Sequence, residues 1–252
     1  MQDRVDRDFT REEQPLAVGD EHLSELEERI GAAPARISIL LLGFVGSLML
    51  ILLMAIIARD IFPEQSISLD RTIYLYLRNH ASSFPGPLFV LGTYLGSFIV
   101  IGPLTAAICA LLFLKGYRRT PTFLVVSAVG GILVNQVFKD YVTRPRPSWP
   151  GIHQIGDYSF PSGHAMNSVV FYIALASIIW VLFGKLYGTI SFIIAIFLAL
   201  FIGTSRIYFG YHYFTDVIGG YITGLLWVVI AATATQGGSH IIRQRRANKS
   251  KI

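Results

Sequence analysis

Three short polar clusters interrupt an otherwise apolar chain: Lys139 with Arg146, then Ser162-Gly163-His164, then Arg206 with His212 and Asp216. Their residue types suit a phosphoryl group. Arginine offers a planar fork of donors matched to two phosphate oxygens, and lysine adds a compact point charge. Lys139, Arg146 and Arg206 would form such a clamp. Ser162 and Gly163 stand immediately before an apolar run. There the amides of a helix N-terminus are unpaired, the dipole end is positive and glycine permits close backbone approach. Both would cradle the same oxygens. His212 and Asp216 are four residues apart, so on a helix they share one face and the carboxylate can fix the imidazole tautomer. The other ring nitrogen then serves as nucleophile or base. His164, on a different segment, would supply the complementary acid, a role typically worth about 10²- to 10⁴-fold.

The elements that must position these groups are membrane helices. Hydrophobic residues make up 53% of the chain and charged residues 15%, with a mean hydropathy of +0.54; soluble domains carry roughly 25% charge. Apolar runs at 37–58, 95–114, 123–138, 165–183, 189–203 and 217–234 approach the roughly 20 residues needed to cross a hydrocarbon core. They are continuous rather than alternating, which selects helices over a barrel. The expected fold is all-α, a six-transmembrane-helix bundle. Residues 1–35 form a polar N-terminal extension, 36–236 the six-span domain and 237–252 a basic tail. The extension carries both signs of charge and reads as mobile and cytoplasmic, although 20–30 could form a short helix. The first span is also too long for a signal-peptide core, so it should be retained. Residues 66–80 read as an interfacial helix, followed by a Pro85-Gly86-Pro87 break and a segment, 84–94, that dips into the bilayer. Cys109 is the only cysteine, which excludes an internal disulfide and a multi-cysteine metal site.

Charge distribution orients the bundle. Arg36, Lys115, Arg118, Arg119, Lys185 and the cations from Arg243 to Lys251 fall on one face if there are six spans. That face should be cytoplasmic, with both termini. The net charge of +5 follows from this asymmetry and from a tail suited to anionic head groups rather than nucleic acid. Parity puts all three polar clusters on the opposite, extracytoplasmic side, against the positive-inside trend. A lysine or arginine deep in a membrane costs about 2.5–3.5 kcal/mol on insertion scales. Converging cations therefore imply an anionic partner.

Lys139-x6-Arg146-Pro147, Pro161-Ser162-Gly163-His164 and Ser205-Arg206-x5-His212-x3-Asp216 together resemble the three-part signature of the type 2 phosphatidic acid phosphatase superfamily, in order and spacing. The six-span layout is similar too, whereas the first thirty-five residues and the tail lie outside the resemblance. Soluble vanadium haloperoxidases share that pocket, but this chain is too hydrophobic for their branch. The resemblance implies that His212 attacks phosphorus to form a phosphohistidine, Asp216 orients and activates it, and His164 protonates the departing oxygen. Lys139, Arg146, Ser162, Gly163 and Arg206 would hold the phosphoryl oxygens. No metal or other cofactor is implied. The expected substrate is a lipid phosphate or pyrophosphate such as phosphatidate, phosphatidylglycerophosphate or polyprenyl pyrophosphate. The expected setting is a bacterial inner membrane, from the compact chain and its lack of organelle-type signals.

Each residue alone has an ordinary explanation. Cations at span ends snorkel, Pro-Ser-Gly is common helix-start punctuation, and Tyr208, Tyr211, Tyr213 and Phe214 suit an interfacial belt or packing. Trp149, His153 and Asp157 fit exposed or belt positions, and Asp60, Glu64 and Asp70 solvated loop charges. Arg144 competes with Arg146 for the first motif; the six-residue gap from Lys139 selects Arg146 and leaves Arg144 as a supporting charge. His164, His212 and Asp216 could ligate zinc, but the surrounding cations oppose a bound cation. A transporter should carry its polar groups near mid-span on several helices. A lipid phosphotransferase, with a lipid hydroxyl replacing water as acceptor, shares all three motifs and is the nearest alternative.

Overall fold

Apolar stretches of membrane-crossing length become helices, and polar turns at their ends extend them beyond what hydropathy marks. The computed structural model describes residues 41–59, 67–80, 85–149 and 158–249. In chain order the helices are α1 (Leu41–Arg59), α2 (Ile67–His80), α3 (Pro85–Leu95), α4 (Phe98–Leu114), α5 (Arg119–Val142), α6 (Gly163–Phe183), α7 (Lys185–Tyr208) and α8 (Phe214–Lys249). Among the described residues the fold is all-α, with one isolated bridge between Pro145 and Tyr158. Among the described residues five helices are long and apolar enough to cross a membrane. The α3–α4 pair meets the same test jointly but bends by 47° at Gly96-Ser97, giving six spans when the pair counts as one. The segment expected to dip into the bilayer is α3, and the expected interfacial helix is α2. The expected extension, 1–35, lies outside the described residues. Residues 42–252 make one compact unit.

Helix α6 is central, packing against α4, α5, α7 and α8. Its core partners are apolar: Phe171, Ala174 and Ile178 meet Ile101 and Leu112 of α4 and Leu124 of α5. Helix α1 joins through Ile51 and Ala58, which cluster with Phe138 and Val142 of α5, with Phe160 ahead of α6 and with Ile230 of α8. The outward faces carry exposed Ile99, Leu114, Val181 and Phe197, as a lipid solvent allows. Close approach matters most where α8 crosses the start of α6. A Cβ at Gly220 would lie 2.8 Å from the Ser162 carbonyl oxygen, so only glycine lets that backbone pass. A Cβ at Gly96, at the bend, would likewise collide with Ile202 of α7 and lie 3.4 Å from the His164 side chain.

Terminal turns differ from expectation in a way that bears on the site. Helix α5 continues to Val142, α6 begins at Gly163, α7 continues to Tyr208 and α8 begins at Phe214. His164, Arg206 and Asp216 stand on helical turns as expected and Lys139 joins them, whereas His212, expected on one helical face with Asp216, lies in the connection before α8 because the helix starts only at Phe214. Polar residues at those turns face one another across one end of the bundle, so the backbone has no reason to break where hydrophobicity stops. At the other end α8 runs on to Lys249, making residues 237–249 of the expected tail a continuation of the last helix.

Candidate active site

Antiparallel neighbours bring the clusters together at one end. Lys139 lies in the last turn of α5, Arg146 just beyond it, Ser162 at the N-cap of α6 with Gly163 and His164 in its first turn, Arg206 in the last turn of α7, His212 in the connection that follows, and Asp216 in the first turn of α8. All eight sequence-selected residues converge. Electrostatic coupling links His164 to Arg206, His212, Lys139 and Arg146, and Lys139 to Arg146, Arg206 and Asp216.

His212 is 3% exposed. Its Nδ1 stands 2.9 Å from the Ser159 carbonyl oxygen. A carbonyl only accepts, so Nδ1 carries the hydrogen and Nε2 the lone pair. That Nε2 faces the cations, 3.5 Å from Nη1 of Arg146. Burial drives the imidazole's pKa down to about 4; the Asp216 carboxylate pulls it back up, and Arg206 and Arg146 push it down again. Near neutral pH the ring is therefore uncharged, the form that can attack an electrophile.

Arg146 is held by a hydrogen bond from Nη1 to the Tyr211 carbonyl, 2.9 Å. Arg206 donates from Nη1 to Thr93 Oγ1 at 3.2 Å, and its guanidinium lies 4.6 Å from the Tyr211 ring centroid. These contacts make Tyr211, expected as a belt or packing residue, a support for both cations, since a ring face attracts a cation. Buried Nε of Arg206 and Oγ of Ser162 have no hydrogen-bond partner among the described residues. Both suit an anion's oxygens.

Two expectations change. Asp216 Oδ2 is 3.6 Å from His212 Nδ1, too long for a hydrogen bond, so the direct acceptor is the Ser159 carbonyl. The carboxylate is otherwise engaged, accepting from Arg144 Nη1 at 2.6 Å and from the Tyr213 amide at 2.9 Å. Ser162 also differs from its expected role, because its amide donates to the Asp216 carbonyl at 3.0 Å and ties α6 to α8. Its hydroxyl is what remains for an oxygen, while Gly163 and His164 retain the first-turn amides that have no intrahelical partner.

Several contributors escaped the sequence reading. Asp70 is 1% exposed rather than a solvated loop charge; it accepts from Arg144 Nη2 at 2.9 Å and from the Thr215 amide at 3.0 Å. The signal was present in α2. Asp70 precedes Ile73, Tyr74 and Leu77 by three, four and seven residues, the stripe that packs inward. Trp149 is half-buried and stacks on Tyr74, ring centroids 4.5 Å apart. Asn135 donates to the Pro161 carbonyl at 3.3 Å, steadying the turn into α6. His153, Asp157, Asp60 and Glu64 lie outside the described residues. Among the described residues no group of three or more His, Cys, Asp or Glu could hold a metal ion.

Relatives bear on this constellation. The PAP2 superfamily's sequence model matches residues 120–238, a range that contains all three motifs. Phosphatidylglycerophosphatase B of Bacillus subtilis is 36% identical over 138 residues, 53% of this chain and 67% of that protein. Undecaprenyl-diphosphatase of Sulfolobus acidocaldarius is 28% identical over 196 residues, 70% and 84% of the respective chains. The crystal structure of a transmembrane PAP2 type phosphatidylglycerolphosphate phosphatase from Bacillus subtilis superposes with a TM-score of 0.67 at 27% identity, covering 78% of this chain and 97% of that one. Motif spacing, a shared bundle end and these likenesses agree, and this multi-span membrane protein belongs to the PAP2 superfamily.

Proposed function

We propose that the protein is an integral membrane lipid phosphatase that hydrolyses a lipid phosphomonoester, or removes the terminal phosphoryl group of a lipid pyrophosphate, through a phosphohistidine on His212. The observation that carries this reading is a neutral imidazole whose lone-pair nitrogen lies 3.5 Å from Arg146 within a cluster that includes Lys139 and Arg206. Nε2 attacks phosphorus, the bond from phosphorus to the lipid oxygen breaks, and His164 gives that oxygen a proton. Water then attacks the phosphohistidine and returns its proton to His164, releasing phosphate and restoring His212. Lys139, Arg146, Arg206, the Ser162 hydroxyl and the Gly163 amide hold the phosphoryl oxygens as charge builds.

The names of the Bacillus subtilis and Sulfolobus acidocaldarius relatives point to a phosphatidylglycerophosphate-like or polyprenyl pyrophosphate substrate. The placement of Lys115, Arg118, Arg119 and Lys185 away from the site supports an extracytoplasmic active site with cytoplasmic termini. In the proposed setting, a bacterial inner membrane, the substrate lies in the outer leaflet.

Phosphate release from phosphatidate, phosphatidylglycerophosphate and a polyprenyl pyrophosphate by the detergent-purified protein, in the presence of a chelator, tests the reading. Wild type should release phosphate from at least one lipid, and His212→Ala should be slower by about 10⁴-fold or more, as for loss of other catalytic nucleophiles. Release by His212→Ala at wild-type rates, or loss on chelation restored by magnesium or zinc, would contradict it.

A further inference from the structure

We infer that Arg144 and Asp70 are positioning residues for His212, a buried pair that fixes both groups on which the imidazole's orientation depends. This rests on His212 being the nucleophile proposed above. The two groups are the Ser159 carbonyl, which receives the Nδ1 hydrogen, and the Asp216 carboxylate beside it. Arg144 holds each with a different part of itself. Its backbone carbonyl accepts from the Ser159 amide at 2.8 Å and from the Ser159 hydroxyl at 3.2 Å, and its Nη1 donates to Asp216 Oδ1 at 2.6 Å.

Asp70 fixes Arg144 in turn. Its Oδ2 accepts from Arg144 Nη2 at 2.9 Å. Thr215 closes the ring, accepting from Arg144 Nη1 at 2.8 Å while its hydroxyl donates to Asp70 Oδ2 at 2.9 Å. The guanidinium lies 4.1 Å from the Tyr213 ring centroid. Arg144 is 3% exposed and both carboxylate side chains 0%, so water does not substitute for any of these bonds. The planar fork matters, because one nitrogen serves each carboxylate. Without it, Asp216 is free to turn both oxygens toward Nδ1 and take that hydrogen from Ser159, which rotates the ring and swings Nε2 away from Arg146. A helix lying outside the three motifs, α2, thereby sets the aim of the nucleophile.

A purely structural pair would lower the amount of competent protein; a positioning pair lowers the rate of each competent molecule. Single-turnover cleavage of dioctanoyl phosphatidate with enzyme in excess, in detergent, separates the two, because its rate constant does not depend on the active fraction. Asp70→Asn, Arg144→Gln and Arg144→Lys should each lower that constant by about 10- to 100-fold, the range typical of groups that orient a catalytic ligand. Steady-state KM should stay within about twofold, since phosphate binding is untouched. A lower yield of competent protein with an unchanged rate constant at saturating enzyme would overturn the inference. So would a wild-type rate constant for Arg144→Lys, which keeps the charge and loses the fork. Should the Arg144 variants fail to fold, Asp70→Asn, which is isosteric and keeps an acceptor, decides alone by the same criterion. The source of any failure is distinguishable: no turnover by wild type on dioctanoyl phosphatidate or a polyprenyl pyrophosphate, or full turnover by His212→Ala, defeats the proposed function and this inference with it.

Discussion

His212 sits where burial and two arginines resist protonation, with the Asp216 carboxylate opposing them. In the folded protein it titrates at about 4, against roughly 6.5 in an unfolded chain. Above pH 6.5 both states hold a neutral ring, and His212 adds no pH dependence to stability. As pH falls from 6.5 towards 4, the unfolded chain takes up the proton first, so stability is lost across that window. At pH 5 this one residue should account for about 2 kcal/mol. Denaturation of the detergent-solubilised protein at pH 7.5 and pH 5 should show wild type losing more stability than His212→Gln by about that amount. Parallel losses in the two proteins would show that the buried ring is not the titrating group. The same residue marks the limit of reading side chains one at a time. Its spacing from Asp216 was legible, but a four-residue gap cannot say which oxygen receives the Nδ1 hydrogen. Ser159 competes successfully because its carbonyl is delivered by a loop folded against Arg144.

Helices explain both what sequence revealed and what it concealed. Continuous apolar runs mark the spans because lipid demands internally satisfied backbones. Their exact ends were harder to see, since Lys139 lies on a helical turn beyond its apolar run and His212, four residues from Asp216, falls outside the helix that begins at Phe214. A helix over 66–80 is legible in the sequence, yet Asp70 reads there as an isolated charge. Asp70 lies on the buried stripe with Ile73, Tyr74 and Leu77, and a carboxylate in that register requires a buried cation. Arg144 is that cation. The first motif's two arginines thus divide their work by two residues of chain: Arg146 faces Nε2, while Arg144 turns to the carboxylates.

At the scale of the molecule, parity places every motif residue at one end of the bundle, and the turns at Lys115–Arg119 and Gly184–Lys185 lie at the other. Exposed Ser148 and Tyr117 stand at these two ends. In cells carrying Cys109→Ser, a membrane-impermeant thiol reagent should label Ser148→Cys without permeabilisation and Tyr117→Cys only after it. The reverse pattern would place the site in the cytoplasm. The proposed function comes down to a single covalent bond between His212 and phosphorus. The most direct measurement is rapid quenching of the wild-type enzyme with lipid carrying a radiolabelled phosphoryl group, followed by mapping of the label. The expected result is an acid-labile, alkali-stable adduct on the peptide containing His212, formed before phosphate appears and absent from His212→Ala. Turnover without any such adduct, or a label on another residue, would contradict the account.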